Sequence, residues 1–553
     1  MADVFLSEFE LTARRALSMW NRDPASPSRG SFDRAYWGWK AKDFSDATLQ
    51  YAAKLVIGYA RLNGEFRQSA ALGAWLEEYV AYCCRAQQPD GSFDQCYPHE
   101  RTPGVVYDML SALLEVHDSE CLASARARAA LEGVMVRAVA FALSEDERHG
   151  EIANHLASYA FELLNYGRAR GDAAATSRGM QYLDRLLALF DRDEGWFLEY
   201  QGPDAGYQTR TLRYLAKCAE LIGDSALWDT AERAGQFLEQ VLMPDGSVHP
   251  MLGTRSTALV YPSGFMRLAA RSPRFASVAA LVHEGWSRAR VPLPSTLDFD
   301  NAIRLAEDAR EAAAIGVPPV RAVESAAVAP RVDLPRAGLT VWRTPSRAVF
   351  VASRLGGVVV VYDRAHDGTW QLRREDSGYL VARADGSRWL SRFPGAGTLV
   401  TSAGARLVIR TRFARSLHEE LTPARLVLLR VLNATVLRIQ WVADLFRRLV
   451  VRRLMSRVDW LGLEIEREVT MEAHGLQIRD RLVGSWRDAR AQLFRCRRVT
   501  GTHMATARYF QPQELELDAA WCAPVEWPSG ELLADETMQG VETSTMAAGK
   551  VTA

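Results

Sequence analysis

The sequence predicts an α+β multidomain protein: an N-terminal (α/α) toroid of helical hairpins over 1–290, followed by a C-terminal antiparallel β-sandwich over 336–528. Three observations predict it. Up to about residue 290 the apolar residues recur at helical spacing, as in Leu72, Trp75, Leu76, Tyr79, Val80 and Cys83. From about residue 338 the period falls to two. Between the predicted helices, short and long connections alternate.

Further helical runs carry Met180, Leu183, Leu186, Leu187 and Phe190, then Phe237, Leu238, Val241 and Leu242. Short polar turns fall at Asn63-Gly64, 117–120, 167–175 and Gly223-Asp224. Long loops fall at 21–45, 89–103, 144–153, 191–206 and 243–257. Helices joined by tight turns run antiparallel, so every second connection lies at the same end. The five long loops are therefore expected on one rim. Three of them share a core: Asp90-Gly91-Ser92-Phe93, Glu194-Gly195-Trp196-Phe197 and Asp245-Gly246-Ser247-Val248. Each sets an acidic residue and a glycine in a turn, then an apolar residue that can tuck back between helices. A helix–loop–helix repeat of about 50 residues points to a solenoid or a closed toroid.

Residues 291–335 hold prolines around an Ala-rich helix and read as a linker. The strand half follows: LTVWR (339–343), AVFVASR (348–354), VVVVY (358–362), YLVAR (379–383) and RLVIRT (406–411). Leu463–Thr470 alternates as a half-wet antiparallel strand should. The polar stretch 529–553 reads as a flexible tail.

Composition excludes several classes. Lys+Arg and Asp+Glu are both 67, which argues against a nucleic-acid partner. The seven cysteines form no CxxC pair, so neither a zinc site nor a disulfide framework is indicated, and no metal or cofactor is expected. The N-terminus carries Asp3, Glu8 and Glu10 and lacks the apolar core of a signal peptide. No apolar run reaches about 18 residues, and a cytoplasmic location is the expectation. The basic run 444–457, with Arg447, Arg448, Arg452, Arg453 and Arg457, is most simply a surface helix. The sharper reading is a patch for anionic polysaccharide or for peripheral contact with a membrane.

The predicted rim carries the candidate site. Asn154 and His155 open the helix of Glu151–Tyr166. Taken alone, they are most simply an N-cap and a solvated first-turn residue. Tyr207 follows the loop Tyr200-Gln201-Gly202-Pro203-Asp204-Ala205-Gly206 and is either a core anchor or a proton-transfer group. His249 and Arg255 lie on the 243–257 loop, and His99 and Glu100 end the 89–103 loop. Tyr36, Trp37 and Trp39 form an aromatic cluster suited either to stacking on sugar rings or to helix packing. With Tyr200, these are the substrate-binding candidates, and the expected partner is an anionic polysaccharide or oligosaccharide.

A uronate polymer can be cleaved by β-elimination. That needs a group to mask the C6 carboxylate, a base for the C5 proton and an acid for the leaving oxygen. Asn, Gln, His and Arg can mask the carboxylate, and Tyr and His suit the proton transfers.

Ile152-Ala153-Asn154-His155-Leu156, the Gly-Pro-Asp-x-Gly-Tyr loop ending at Tyr207, and Gly253-Thr254-Arg255-Ser256-Thr257 with Tyr261-Pro262-Ser263-Gly264-Phe265 carry a resemblance. The chain resembles the heparinase II/III-like family of polysaccharide lyases. That resemblance implies a toroid-plus-sandwich fold and a lyase in which Asn154 neutralises the carboxylate, Tyr207 acts as base or acid and His155 assists. Gln208 stands where such lyases often carry His, and His366 and His418 match no second-domain ligand set. Three alternatives stay open: a C5-epimerase-like or modifying enzyme of polysaccharide synthesis, a glycoside hydrolase using two of Glu100, Glu199 and Asp204, and a non-catalytic carbohydrate-binding scaffold.

Overall fold

The structure, a computed structural model, describes residues 3–34, 45–95, 101–146, 152–317, 329–416, 422–451, 458–472, 475–483, 491–497, 522–525 and 532–539. The chain forms two compact units. One comprises 1–248, 257–323 and 419–457; the other comprises 249–256, 324–418 and 458–553.

The first unit begins with helices α1 (Val4–Met19), α2 (Ala52–Leu62), α3 (Ala70–Ala86), α4 (Pro103–His117), α5 (Ala125–Ser144) and α6 (Ala153–Arg170). It continues with α7 (Ala173–Ala188), α8 (Ala205–Ile222), α9 (Ser225–Val241), α10 (Ser263–Arg271), α11 (Ala276–Ser287) and α12 (Phe299–Ile315). The even-numbered helices form an inner layer. Each packs on the next, and α12 packs back on α2, so the layer closes as a ring. The odd-numbered helices lie outside it: α1, α5, α7, α9 and α11 each pack on an inner helix, and α3 packs on α5. Burial follows: α6 and α8 are covered on nearly all sides, whereas α7 and α9 bury one stripe.

The loop repeat has a steric cause. Gly91, Gly195 and Gly246 have φ of 92°, 84° and 82°, a region that suits glycine. A Cβ on them would lie 2.1, 2.5 and 2.3 Å from the carbonyl oxygens of Arg137, Arg233 and Leu281. Each loop thus leaves one outer helix and presses its glycine onto the next outer helix. Two residues on, Phe93, Phe197 and Val248 are buried. The structure adds a fourth copy, Arg29-Gly30-Ser31-Phe32: Gly30 has φ 94° and approaches the Glu78 carbonyl, and Phe32 is buried.

Charges close the ring as well. Glu311 on α12 meets Arg213 and Lys217 of α8 at 2.9 and 2.6 Å, and Arg267 of α10 at 3.1 Å. Asp308 meets Arg213 at 2.9 Å. Lys54 of α2 reaches Ser111 of α4 at 3.0 Å and Glu307 of α12 at 3.8 Å. The sequence reading makes 291–335 a linker, but its helix is the sixth member of the inner ring. Its alanines 302, 306, 309 and 312 are buried, because small side chains let α12 approach its neighbours closely.

The second unit holds two antiparallel sheets. The first is a meander of β1 (Arg331–Leu334), β2 (Leu339–Arg343), β3 (Arg347–Ala352), β4 (Val358–Arg364) and β5 (Trp370–Asp376). The second contains β6 (Gly378–Ala382), β7 (Arg388–Leu390), β8 (Gly397–Ala403), β9 (Arg406–Ser416), β10 (Trp460–Glu472) and β11 (Gly475–Val483). It is completed by β12 (Gln492–Cys496), β13 (Cys522–Val525) and β14 (Leu532–Gln539). Its order is β13-β12-β6-β7-β9-β10-β11-β14, with β8 also on β9. Trp342, Val349, Val351, Val359 and Val361 of the first sheet share one core with Leu407, Ile409, Val469, Leu476 and Ile478 of the second. Strand β14 falls in the stretch read from sequence as a tail; it pairs with β11 from Gln539 opposite Gly475 to Leu532 opposite Arg481.

Candidate active site at the starts of two inner helices

Helix α6 has no capping side chain of its own, since Ile152 occupies the N-cap position. Its free N–H groups find a partner far along the chain. The Glu199 carboxylate accepts the Asn154 backbone N–H at 2.8 Å, and both its oxygens accept the Asn154 amide, at 3.0 and 2.9 Å. Asn154 is therefore the second residue of the helix, and the simple reading of it as an N-cap is corrected: Glu199 does the capping. An anion there is also favoured by the helix dipole. Both residues are fully buried. The amide hydrogens of Asn154 point at Glu199, so a substrate carboxylate would compete with Glu199 for them. Its carbonyl oxygen is buried with no donor among the described residues.

His155, next in the helix, is half-buried. One turn on, the Tyr159 hydroxyl lies 3.4 Å from His155 Nδ1. Glu199 also pairs with Ile152 as an isolated β-bridge. Tyr200 follows in the left-handed region at φ 62°, a costly conformation for a residue with a Cβ. The loop returns at once, as Glu199 N donates to the Gly202 carbonyl at 2.9 Å.

That loop delivers the start of α8. Asp204 caps it, accepting from Tyr207 N at 3.2 Å, and also accepts from Thr257 N at 3.4 Å. Gly206 is required because a Cβ would lie 2.0 Å from Thr257 Cγ2 and 2.9 Å from the Leu259 carbonyl oxygen. Thr209 Oγ1 accepts from Tyr261 N at 3.0 Å, which completes the docking of 257–261 on α8. Gln208, buried, takes Phe197 N at 3.0 Å and donates to the Gly195 carbonyl at 3.2 Å. It clamps the loop, which is structural work for the residue after the tyrosine.

Tyr207 is the third residue of α8 and stays half-buried. Arg210 is three positions on, so both share one helix face, about 5–6 Å apart at Cβ. Tyr214 extends the face, with the Arg210 guanidinium 5.9 Å from its ring centre. Burial alone would lower the Arg210 pKa, but the Tyr261 and Tyr214 phenols and the Asp108 carboxylate outweigh it and hold the guanidinium charged. Tyr261 is buried, and burial pushes its hydroxyl up to about 12 against the pull of Arg210. Tyr207 is thus the more accessible phenol of the two. Arg210 was missed in the sequence, although its spacing from Tyr207 was there to read.

Asn154 meets Glu199 directly, His155 follows Asn154 in α6, and Tyr200 and Tyr207 lie on the loop and helix start that follow Glu199. His249 and Arg255 belong to segment 249–256 of the second unit. There His249 is buried, with Nε2 2.6 Å from Glu375 and Nδ1 accepting from Met251 N at 3.3 Å. Tyr36, Trp37, Trp39, His99 and Glu100 lie outside the described residues. No group of three or more potential ligands for a metal occurs among the described residues.

No family model and no curated protein sequence matches the chain. Three solved structures it is similar to are enzymes named as polysaccharide lyases. A chondroitin AC lyase of Streptomyces coelicolor A3 is 13% identical, with 89% of this chain and 67% of that chain covered and a TM-score of 0.48. A Paenibacillus xanthan lyase is 12% identical over 89% of this chain and 46% of that chain, with a TM-score of 0.48. A heparan sulfate lyase of Pedobacter heparinus is 11% identical over 88% and 70%, with a TM-score of 0.43. Likeness at this level decides neither fold nor activity, and the functional reading rests on the site.

Proposed function

We propose that the protein is a lyase acting on a uronate-containing polysaccharide by β-elimination, with its chemistry at the starts of α6 and α8. The observation that carries this reading is the face shared by Tyr207 and Arg210 at the end of the ring where His155 also begins its helix. Arg210 pairs with the C6 carboxylate and makes the C5 proton acidic. Tyr207, acting as its phenolate, takes that proton and becomes the phenol, the C4–O bond breaks, and a double bond forms between C4 and C5. The departing oxygen receives its proton from His155, which Tyr159 orients. Asn154, held by Glu199, sets the helix start that positions His155.

Two observations favour this over a two-carboxylate hydrolase. Glu199 and Asp204 are both buried, and both accept hydrogen bonds from helix-start backbone. Carboxylates so engaged are poor candidates for proton exchange with substrate.

The test is ultraviolet absorbance of unsaturated uronate products from a panel of uronate polymers. Tyr207→Phe is expected to lose roughly 10²–10⁴-fold in rate. Arg210→Gln is expected to lose about 10²–10³-fold. Absence of such products from the folded protein on every polymer ends the lyase reading. Solvent deuterium at C5 in uncleaved polymer would assign the same residues to an epimerase instead.

A further inference from the structure

Between β9 and β10 the chain forms two short helices that take no part in the site: α13 (Pro423–Ala434) and α14 (Gln440–Val451), joined through the single turn Val436–Arg438. Only Asn433 of α13 is buried. Its Val427, Leu428 and Val431 are 62%, 58% and 54% exposed. On α14, Trp441, Leu445 and Leu449 recur every fourth residue and are 69%, 51% and 58% exposed, while Ala443 and Asp444 are buried. The apolar stripe of α14 therefore faces away from the protein. Water-facing surfaces seldom carry such a contiguous patch without a partner.

Charge identifies the partner. Residues 422–451 contain five arginines and one acid, Asp444. A second copy of the chain would bring this basic surface against its like. A soluble anionic polymer would use the arginines and leave the valines, leucines and tryptophan unused. An anionic bilayer surface takes both: phosphates for the arginines and the acyl boundary for the apolar side chains. Each helix has 12 residues, about 18 Å of rise, too short for a hydrocarbon core of ~30 Å. Among the described residues no helix is long and apolar enough to cross a membrane. We propose that α13 and α14 lie in the plane of an anionic phospholipid surface and dock the protein there. This stands independently of the reaction assigned above.

The test is flotation of the full chain with vesicles of phosphatidylcholine alone or mixed equally with phosphatidylglycerol. The expected result is binding to the mixed vesicles that weakens with added salt. The double variant Trp441→Glu, Leu445→Glu changes only exposed side chains, and its circular dichroism is expected to match the parent. Its vesicle partitioning should fall by at least roughly tenfold. No flotation with the mixed vesicles overturns the proposal, and so does undiminished flotation of the variant. Self-association abolished by the same substitutions, without lipid binding, would assign the face to a second copy and also overturn it.

Discussion

At the scale of single residues, the buried pair of Asn154 and Glu199 is the arrangement on which the site depends. A carboxylate fully removed from water needs its lone pairs satisfied, and here one asparagine supplies both backbone and side-chain donors. Replacing Asn154 by Asp would set a second carboxylate within hydrogen-bond distance of the first. The two cannot both ionise there, so the pair must hold one proton with a raised pKa. A carboxyl raised on folding destabilises above its unfolded pKa and recovers as pH falls through the folded value. Asn154→Asp is therefore expected to lose about 3 kcal/mol at pH 7, by urea midpoint, and to regain much of it near pH 5. Asn154→Ala removes two donors from Glu199 but adds no second carboxylate, so its recovery at low pH should be smaller, and equal pH profiles for the two variants would count against the pairing. The position of Asn154 and His155 at a helix start was legible from the polar pair heading an apolar period. Glu199 as their partner was not, because it lies 45 residues away and only the folded loop brings it back.

At the scale of elements, the repeated loop glycines join outer helices that are not consecutive in the chain. The sequence showed three copies through an acidic residue before glycine. It hid the fourth, because Arg29 precedes Gly30, although the steric demand is the same: positive φ and a backbone carbonyl at the Cβ position. A paired substitution separates the two demands. Gly171 caps α6 at φ 67° with nothing within 4 Å of a Cβ, so Gly171→Ala should cost only the conformational term of about 1 kcal/mol. Gly91→Ala adds a clash 2.1 Å from the Arg137 carbonyl oxygen, which neither backbone can relieve without parting α3's loop from α5. Its expected loss is about 3 kcal/mol or more, read from thermal or urea unfolding. Similar losses for the two would mean that close approach does not matter.

At the scale of the whole molecule, the division into a helical and a stranded half was legible because hydrophobic period reports which face of an element is buried. What it could not report was which helix closes the ring. Alanine-rich α12 between prolines looks like a spacer until its charged partners are known. Likewise Leu532–Gln539 carries too many polar residues to read as a strand, since it lies at the edge of its sheet and one face stays wet.

Each unit is also held by buried ion networks that sequence spacing does not show. In the helical unit, burial would raise the Glu311 carboxyl, but Arg213, Lys217 and Arg267 outweigh it and hold it well below the usual range. In the stranded unit, Asp376 is likewise held low against burial by Arg467, Arg495 and Arg374. A depressed carboxyl contributes stability that is present above its unfolded pKa, about 4, and is lost as pH falls toward the folded value. Glu162 and Asp308, which burial raises, act in the opposite sense. Glu311 and Asp376 each face three cations, so the net expectation is loss of stability below about pH 4 in both units. Glu311→Gln and Asp376→Asn should each cost about 3–5 kcal/mol at pH 7, because the arginines left behind stay buried. Each should also flatten the fall in stability between about pH 5 and 3 relative to the parent. Urea unfolding across that range checks both, and an unchanged slope in either variant would show that its carboxylate does not carry the acid sensitivity. If the two units unfold separately, each variant should shift only its own transition.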